Sequence, residues 1–366
     1  MPFQYCSEEA RARAAPLQTE RTAIPEHPVT EPRTLIGFAI TEHCNLRCPH
    51  CIRDDVTTVR SLEPELIASV LDQARALFGQ VAASFTGGEP LLHDEFERII
   101  ADCAERDVPY RFVSNGWHLK RILPLLRRYR PTSIRLSLSG ATESTHDGDR
   151  GRDSFRRVLM GVALLTAEAI PCYLSMVVDR RNRHELRAAA DLAEALGCLG
   201  IGFILPQPTP GSAERDSDLD PDEWWAVTRE IHALTAHGGR RTAITIDYGH
   251  PFDGAERPCD TFAQRRLYVD TRGRLCTCCQ LSNYGTNETE VVADLHQTSL
   301  VEALTAYRDR LAGLQHAQRR STGTARVTDP FPCLRCCAAS GKLTWLQDYP
   351  QSPWHAAAAR RTTSAA

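Results

Sequence analysis

No run of about 18 apolar residues occurs anywhere in the 366-residue chain, so no membrane-spanning helix is expected. The opening stretch MPFQYCSEEARARAAPLQTE lacks the apolar core of a signal peptide, which argues for a cytoplasmic protein. Charge of one sign is not in excess: 43 Lys and Arg stand against 46 Asp and Glu, for a formal net charge of -3. That balance offers no electrostatic footprint for nucleic acid or an anionic membrane. Internal repeats and long low-complexity tracts are missing too, although the final AAAARRTTSAA reads as a frayed tail.

What is present in quantity is cysteine, with 14 in the chain. Cytosolic reductants keep thiols reduced, so clustered cysteines in such a protein favour metal binding or catalysis over disulfides. A hydrophobic content of 42% over this length supports one large α/β domain with a small appendage.

Residues 1–34 are polar and carry Pro16, Pro25, Pro28 and Pro32, the pattern of an arm. From Thr34 onward, short apolar runs such as LIGFAIT, VAASFTG, YRFVSN, SIRLSLS, CYLSMVV and GIGFIL alternate with amphipathic helical stretches. Six such pairs predict an open, partial (β/α)6 TIM-like barrel, with active-site groups at the C-terminal strand ends. The alternation breaks after Pro206, where PQPTPGSAERDSDLDPDE reads either as a lid over the barrel mouth or as a surface connection. A boundary is expected near residue 250, giving a barrel over 35–250, a cysteine-rich domain over 251–345 and a tail over 346–366.

At the end of the first predicted strand, Cys44, Cys48 and Cys51 form a CxxxCxxC array. By spacing alone the array suits a [4Fe-4S] cluster with one iron left open, or a zinc ion completed by His50. Downstream, Gly87, Gly88, Glu89 and Pro90 follow the second strand. Together the two motifs resemble the radical S-adenosylmethionine (radical SAM) superfamily, over roughly residues 35–340.

The resemblance implies that Cys44, Cys48 and Cys51 hold a site-differentiated [4Fe-4S] cluster chelated by S-adenosylmethionine. It implies that Gly87, Gly88 and Glu89, with Pro90, meet the amino group of the cofactor. Glycines permit close backbone approach, and carbonyls or a carboxylate accept from an ammonium. The segment RLSLSGATESTHDGDRG resembles the end of the family's fourth strand, which implies cofactor contacts from Ser137 and from Arg150, the latter as a carboxylate clamp. Ser139 departs from the aspartate common among relatives. Asn115, in an Asn-Gly turn after the third strand, is a further candidate contact.

Seven more cysteines lie between Cys259 and Cys337. Their arrangement around Gly273 resembles the SPASM and twitch extensions of the superfamily, which implies one auxiliary [4Fe-4S] cluster on Cys259, Cys278, Cys333 and Cys336. Cys276, Cys279 and Cys337 are left over, the choice of ligand among Cys276, Cys278 and Cys279 stays open, and Cys337, Cys279 or Cys276 is a candidate hydrogen donor in an epimerising enzyme. Cys103, Cys172 and Cys198 sit in apolar patterns and read as core.

The family's chemistry implies reductive cleavage of S-adenosylmethionine, hydrogen-atom abstraction, and an external one-electron reductant of flavodoxin or ferredoxin type. A single auxiliary cluster, with no evident leader-peptide domain, favours dehydrogenation or epimerisation of a small molecule such as a sugar or aminocyclitol. The alternatives are a peptide maturase, forming a crosslink or epimerising a ribosomal precursor, and a non-catalytic electron carrier. Asp247, His250 and Asp253 are positional candidates for a base.

Overall fold

The computed structural model describes residues 34–52, 59–236, 238–246, 259–282, 287–319 and 330–358. The N-terminal arm with Cys6, and the candidate bases Asp247, His250 and Asp253, lie outside these.

A ten-stranded sheet organises the described residues, in the order β10-β9-β8-β1-β2-β3-β4-β5-β6-β7. Strands β1 (Thr34–Thr41), β2 (Val81–Gly87), β3 (Tyr110–Ser114), β4 (Ser133–Leu138), β5 (Cys172–Val177), β6 (Gly200–Ile204) and β7 (Ala243–Ile246) run parallel. The sheet does not close. Up to residue 246 it carries one parallel strand more than the six expected, because the short run AITI also pairs, with Ile201 beside Ile244.

Helices α1 (Pro64–Phe78), α2 (Phe96–Glu105), α3 (Leu119–Arg128), α4 (Glu143–Arg150), α5 (Ser154–Ala167) and α6 (Leu186–Ala195) fall between the strands. One strand face supplies Phe38, Phe85, Phe112, Leu136, Met176 and Phe203 to the core shared with those helices. Because side chains alternate along a strand, the other face carries Gly37, Ser84, Thr86, Ser137, Ser175 and Gly202. That face also carries the larger Arg111, Arg135 and Tyr173, so the inner wall of the curved sheet mixes small polar residues with long and aromatic ones.

From residue 259 onward, the chain returns to the same sheet. β8 (Arg266–Val269) pairs parallel with β1, and β9 (Arg274–Cys276) and β10 (Val291–Asp294) follow antiparallel. The β8–β9 turn needs glycine: Gly273 has φ +73°, and a Cβ there would stand 2.4 Å from His296 Nε2. Helices α9 (Leu300–Arg319) and α10 (Pro332–Ala339) complete this part.

The C-terminal segment is not loose over its described length. Trp354 is fully buried against Trp224 of α8 (Pro221–Ala236) and Phe331, with ring centroids 5.4 and 5.1 Å away. Its Nε1 donates to Leu219 O at 2.9 Å. Three mutually edge-on aromatic rings with a satisfied indole N–H anchor the segment by area and by geometry. Trp354→Ala is expected to cost about 3–5 kcal/mol, measured as a fall in unfolding midpoint, because the cavity left cannot collapse around three rigid rings.

Candidate active site

The C-terminal ends of β1 and β2 are locked together by backbone. Gly88 N–H donates to Thr41 O at 2.7 Å, and Glu89 N–H to His43 O at 2.8 Å. Gly87 has φ +124°, and a Cβ there would lie 2.4 Å from Thr41 O, so only glycine permits the approach.

Glu89 is turned into the protein, 1% exposed. Its carboxylate accepts from Asn115 N–H at 2.7 Å, the Ser114 hydroxyl at 2.9 Å and Leu91 N–H at 3.3 Å. This corrects the expectation that the Glu89 carboxylate meets an ammonium: it ties β2 to β3, and what this turn offers a ligand is backbone. Pro90 opens the short 3-10 turn that Glu89 caps.

Burial pushes the Glu89 carboxyl up to about 7, against the opposing pull of those hydrogen bonds. A carboxyl raised in the fold binds more protons there than in the unfolded chain, so its stabilisation is full below the unfolded value near 4.5 and is lost as pH rises through 7. The cofactor-free protein is expected to lose roughly 3 kcal/mol across that window, with Glu89→Gln flattening the dependence in pH-resolved thermal unfolding.

The cysteine array sits on the loop leaving β1. Cys44 and Cys48 are half-buried and Cys51 is exposed, with Cys51 N–H bonded to Cys48 O at 3.1 Å. Burial pushes the Cys48 thiol up; the Arg150 guanidinium pulls it down, and Cys51 and Cys44 push it further up. The three thiols therefore share one electrostatic neighbourhood.

His50 does not join them. Its Nδ1 lies 3.2 Å from Asp149 Oδ2 and its Nε2 3.4 Å from Arg150 Nη2. Burial lowers its pKa, so it stands as a neutral ring. His50 is thus engaged with Asp149 and Arg150 and does not stand as the completing ligand of a zinc site. Three thiols without a fourth protein ligand fit a cubane with one open iron.

Arg150 occupies the position expected of a carboxylate clamp. Its Nε donates to Ser139 Oγ at 2.7 Å, and its charge reaches both Cys48 and Glu89. Ser139, which departs from the family's aspartate, thus holds the clamp. Ser137 stands half-buried on the inner wall, in register with Ser175. Asn115 serves the loop: its Nδ2 donates to Asn45 Oδ1 at 2.9 Å, and Oδ1 accepts from Trp117 N–H.

Beside these groups lies a cavity of about 210 Å3, lined by Ser139, Thr145, Asp149, Asp179, Arg181 and Asn182 among others. Arg181 bridges Asp179 at 2.6 Å and also pairs with Asp149. Asp149 is held well below the usual carboxylate range, despite burial, by its bonds to His50 and Arg181.

Sequence reasoning left the segment after β6 open between lid and surface connection, and the structure seats it against the cysteine loop. Thr209 caps the short helix α7 (Pro210–Glu214), and its Oγ1 donates to Pro49 O at 2.9 Å, inside the cysteine array. A Cβ on Gly211 would stand 2.6 Å from the same oxygen. The Thr-Pro pair was a legible helix cap, but its grip on Pro49 was not.

At the second array, Cys278 and Cys279 lie side by side. Cys279 is within electrostatic reach of Cys259 and Cys333, and Cys278 of Cys337, which also feels Cys333 and Cys336. Cys276 is fully buried in β9 beside Ala39 and Tyr268, a core residue. Cys337 is fully buried, and its thiol donates to Gln207 Oε1. Of the candidate hydrogen donors, Cys337 is thus closed off from solvent, while Cys279 lies near Cys259 and Cys333. Cys103, Cys172 and Cys198 are core, as expected.

Residues 38–193 match the model of the radical SAM superfamily. The chain carries a radical SAM domain. It is 31% identical over 216 residues to a GTP 3',8-cyclase of Rhodococcus opacus, covering 56% of this chain and 60% of that protein. It is 27% identical over 249 residues to a PqqA peptide cyclase of Streptomyces rochei, covering 65% and 67% respectively. In fold it is similar to Streptococcus suis SuiB bound to precursor peptide SuiA, with a TM-score of 0.65 at 14% identity over 88% of this chain and 74% of that one. The chain spans about 60% of the length of the first curated relatives it matches. The radical SAM domain implies S-adenosylmethionine and a [4Fe-4S] cluster as cofactors.

Proposed function

We propose that this protein is a two-cluster radical SAM enzyme that oxidises or epimerises a C–H-bearing carbon of a small polar substrate. The observation that carries the reading is that one loop, the segment after β6, contacts both cysteine arrays: Thr209 at Pro49 and Gln207 at Cys337. Bound at the first array, S-adenosylmethionine supplies a 5′-deoxyadenosyl radical that accepts a hydrogen atom, and a second cluster supplies a one-electron acceptor.

The chain's own residues do the rest. Cys44, Cys48 and Cys51 hold the first cluster, and Cys259, Cys278, Cys333 and Cys336 the second. Arg150, steadied by Ser139, pairs with the cofactor carboxylate, and the backbone at Gly87 and Gly88 receives its ammonium. On the inner face of the sheet, Ser84, Thr86, Ser137 and Ser175 offer hydroxyl partners to a hydroxylated ligand. Electrons enter from an external flavodoxin- or ferredoxin-type donor.

A second reading, a maturase acting on a ribosomal peptide, is favoured by the alignment to a peptide cyclase over 65% of this chain. One experiment separates them. Reduced, reconstituted protein is incubated with S-adenosylmethionine and either aminocyclitols and sugars or short precursor peptides, and 5′-deoxyadenosine is timed. Stimulation by a polyol with a product two mass units lighter, or unchanged in mass but inverted, supports the first reading. Stimulation by peptides alone overturns it in favour of the second.

A further inference from the structure

Gln207 lies on the loop after β6 and is 2% exposed, yet its side chain is fully engaged in polar contacts. Its Oε1 accepts from the Cys337 thiol of α10, and its Nε2 donates to Gln280 Oε1 at 3.4 Å. Gln280 in turn donates its backbone N–H to Cys278 Sγ at 3.4 Å. The amide therefore joins the two halves of the second cysteine array, the Cys278 turn and the helix bearing Cys333 and Cys336. Two residues on, Thr209 is bonded to Pro49, between Cys48 and His50.

We infer that Gln207 is a positioning residue, which fixes the two halves of the auxiliary-cluster site against each other. The inference rests on the two-cluster reading. A buried amide is suited to the task because it has one acceptor and two donors, and can hold a thiol on one side and a carbonyl on the other. Such a link is rigid only while both contacts persist, since a half-satisfied buried polar network is worse than none. Hydrogen bonds near the sulfurs and solvent access set an iron-sulfur potential, so releasing the link is felt by the second cluster first.

The test uses the full chain carrying both clusters. Iron is counted in the wild type and in Gln207→Leu, midpoint potentials are measured by dye-mediated titration followed by electron paramagnetic resonance, and iron release to a chelator is timed. In Gln207→Leu the auxiliary couple is expected to shift and its four irons to leave about tenfold faster, the scale of one lost buried hydrogen bond. The first cluster's potential and the substrate-free release of 5′-deoxyadenosine are expected to stay as in the wild type.

An unchanged auxiliary potential and unchanged release rate would overturn the inference. So would equal shifts in both clusters, which would indicate a general loosening. Should Gln207→Leu not fold, Cys337→Ala and Gln280→Ala, each removing one of the two contacts, decide by the same shift. A wild type holding only four irons defeats the two-cluster reading itself, and that count is read before any variant is made.

Discussion

Cys48→Ala is expected to release no 5′-deoxyadenosine above a protein-free control. Cys48 lies at the centre of its array: burial pushes its thiol up, Arg150 opposes this, and Cys44 and Cys51 add to it. With alanine there, two thiols remain, and His50 cannot replace the third because it is committed to Asp149 and Arg150. A cluster on two protein ligands exchanges its irons, and the open iron that S-adenosylmethionine needs is lost with it. The matched control is Cys103→Ala, a core thiol in α2, expected to cost about 1–2 kcal/mol of stability and no cleavage. The check is chromatography of 5′-deoxyadenosine with iron content measured on the same samples. Retained cleavage in Cys48→Ala would move the site elsewhere.

Gly87→Ala is expected to destabilise by about 3–5 kcal/mol, combining an L residue forced to positive φ with a steric overlap. The added methyl would meet Thr41 O at 2.4 Å, a backbone atom that can yield only by parting β1 from β2. Parting them breaks the bonds from Gly88 to Thr41 and from Glu89 to His43, and moves the residue preceding Cys44. Loss of stability and loss of cluster binding therefore come together. Gly313→Ala, in an exposed stretch of α9 with nothing within 4 Å, is expected to stabilise by about 0.5–1 kcal/mol instead. Thermal unfolding of both variants checks the contrast, and equal midpoints would contradict the account of the turn.

The cysteine arrays and the glycine turn were legible because their chemistry restricts residue type at fixed spacing, and the strand-helix alternation was legible because burial imposes a period. The seventh strand was not, since four residues of AITI followed by polar neighbours carry too little periodicity to separate from a turn. What the residue string withholds is orientation. Glu89 has the right chemistry for an ammonium, but nothing in the residue string says that its carboxylate turns toward Ser114 and Asn115. Cys337 has the right chemistry for a hydrogen donor, but its burial follows from packing of α10. The loop after β6 escaped because its role is a contact between residues 160 apart in sequence, Thr209 and Pro49.

The most direct test of the central claim is electron paramagnetic resonance on the anaerobically reconstituted, dithionite-reduced protein, before and after adding S-adenosylmethionine, with iron and zinc quantified. The account predicts about eight irons per chain and two overlapping [4Fe-4S] signals, of which one changes on adding the cofactor. Zinc in place of iron, or an iron-sulfur signal indifferent to S-adenosylmethionine, would contradict it.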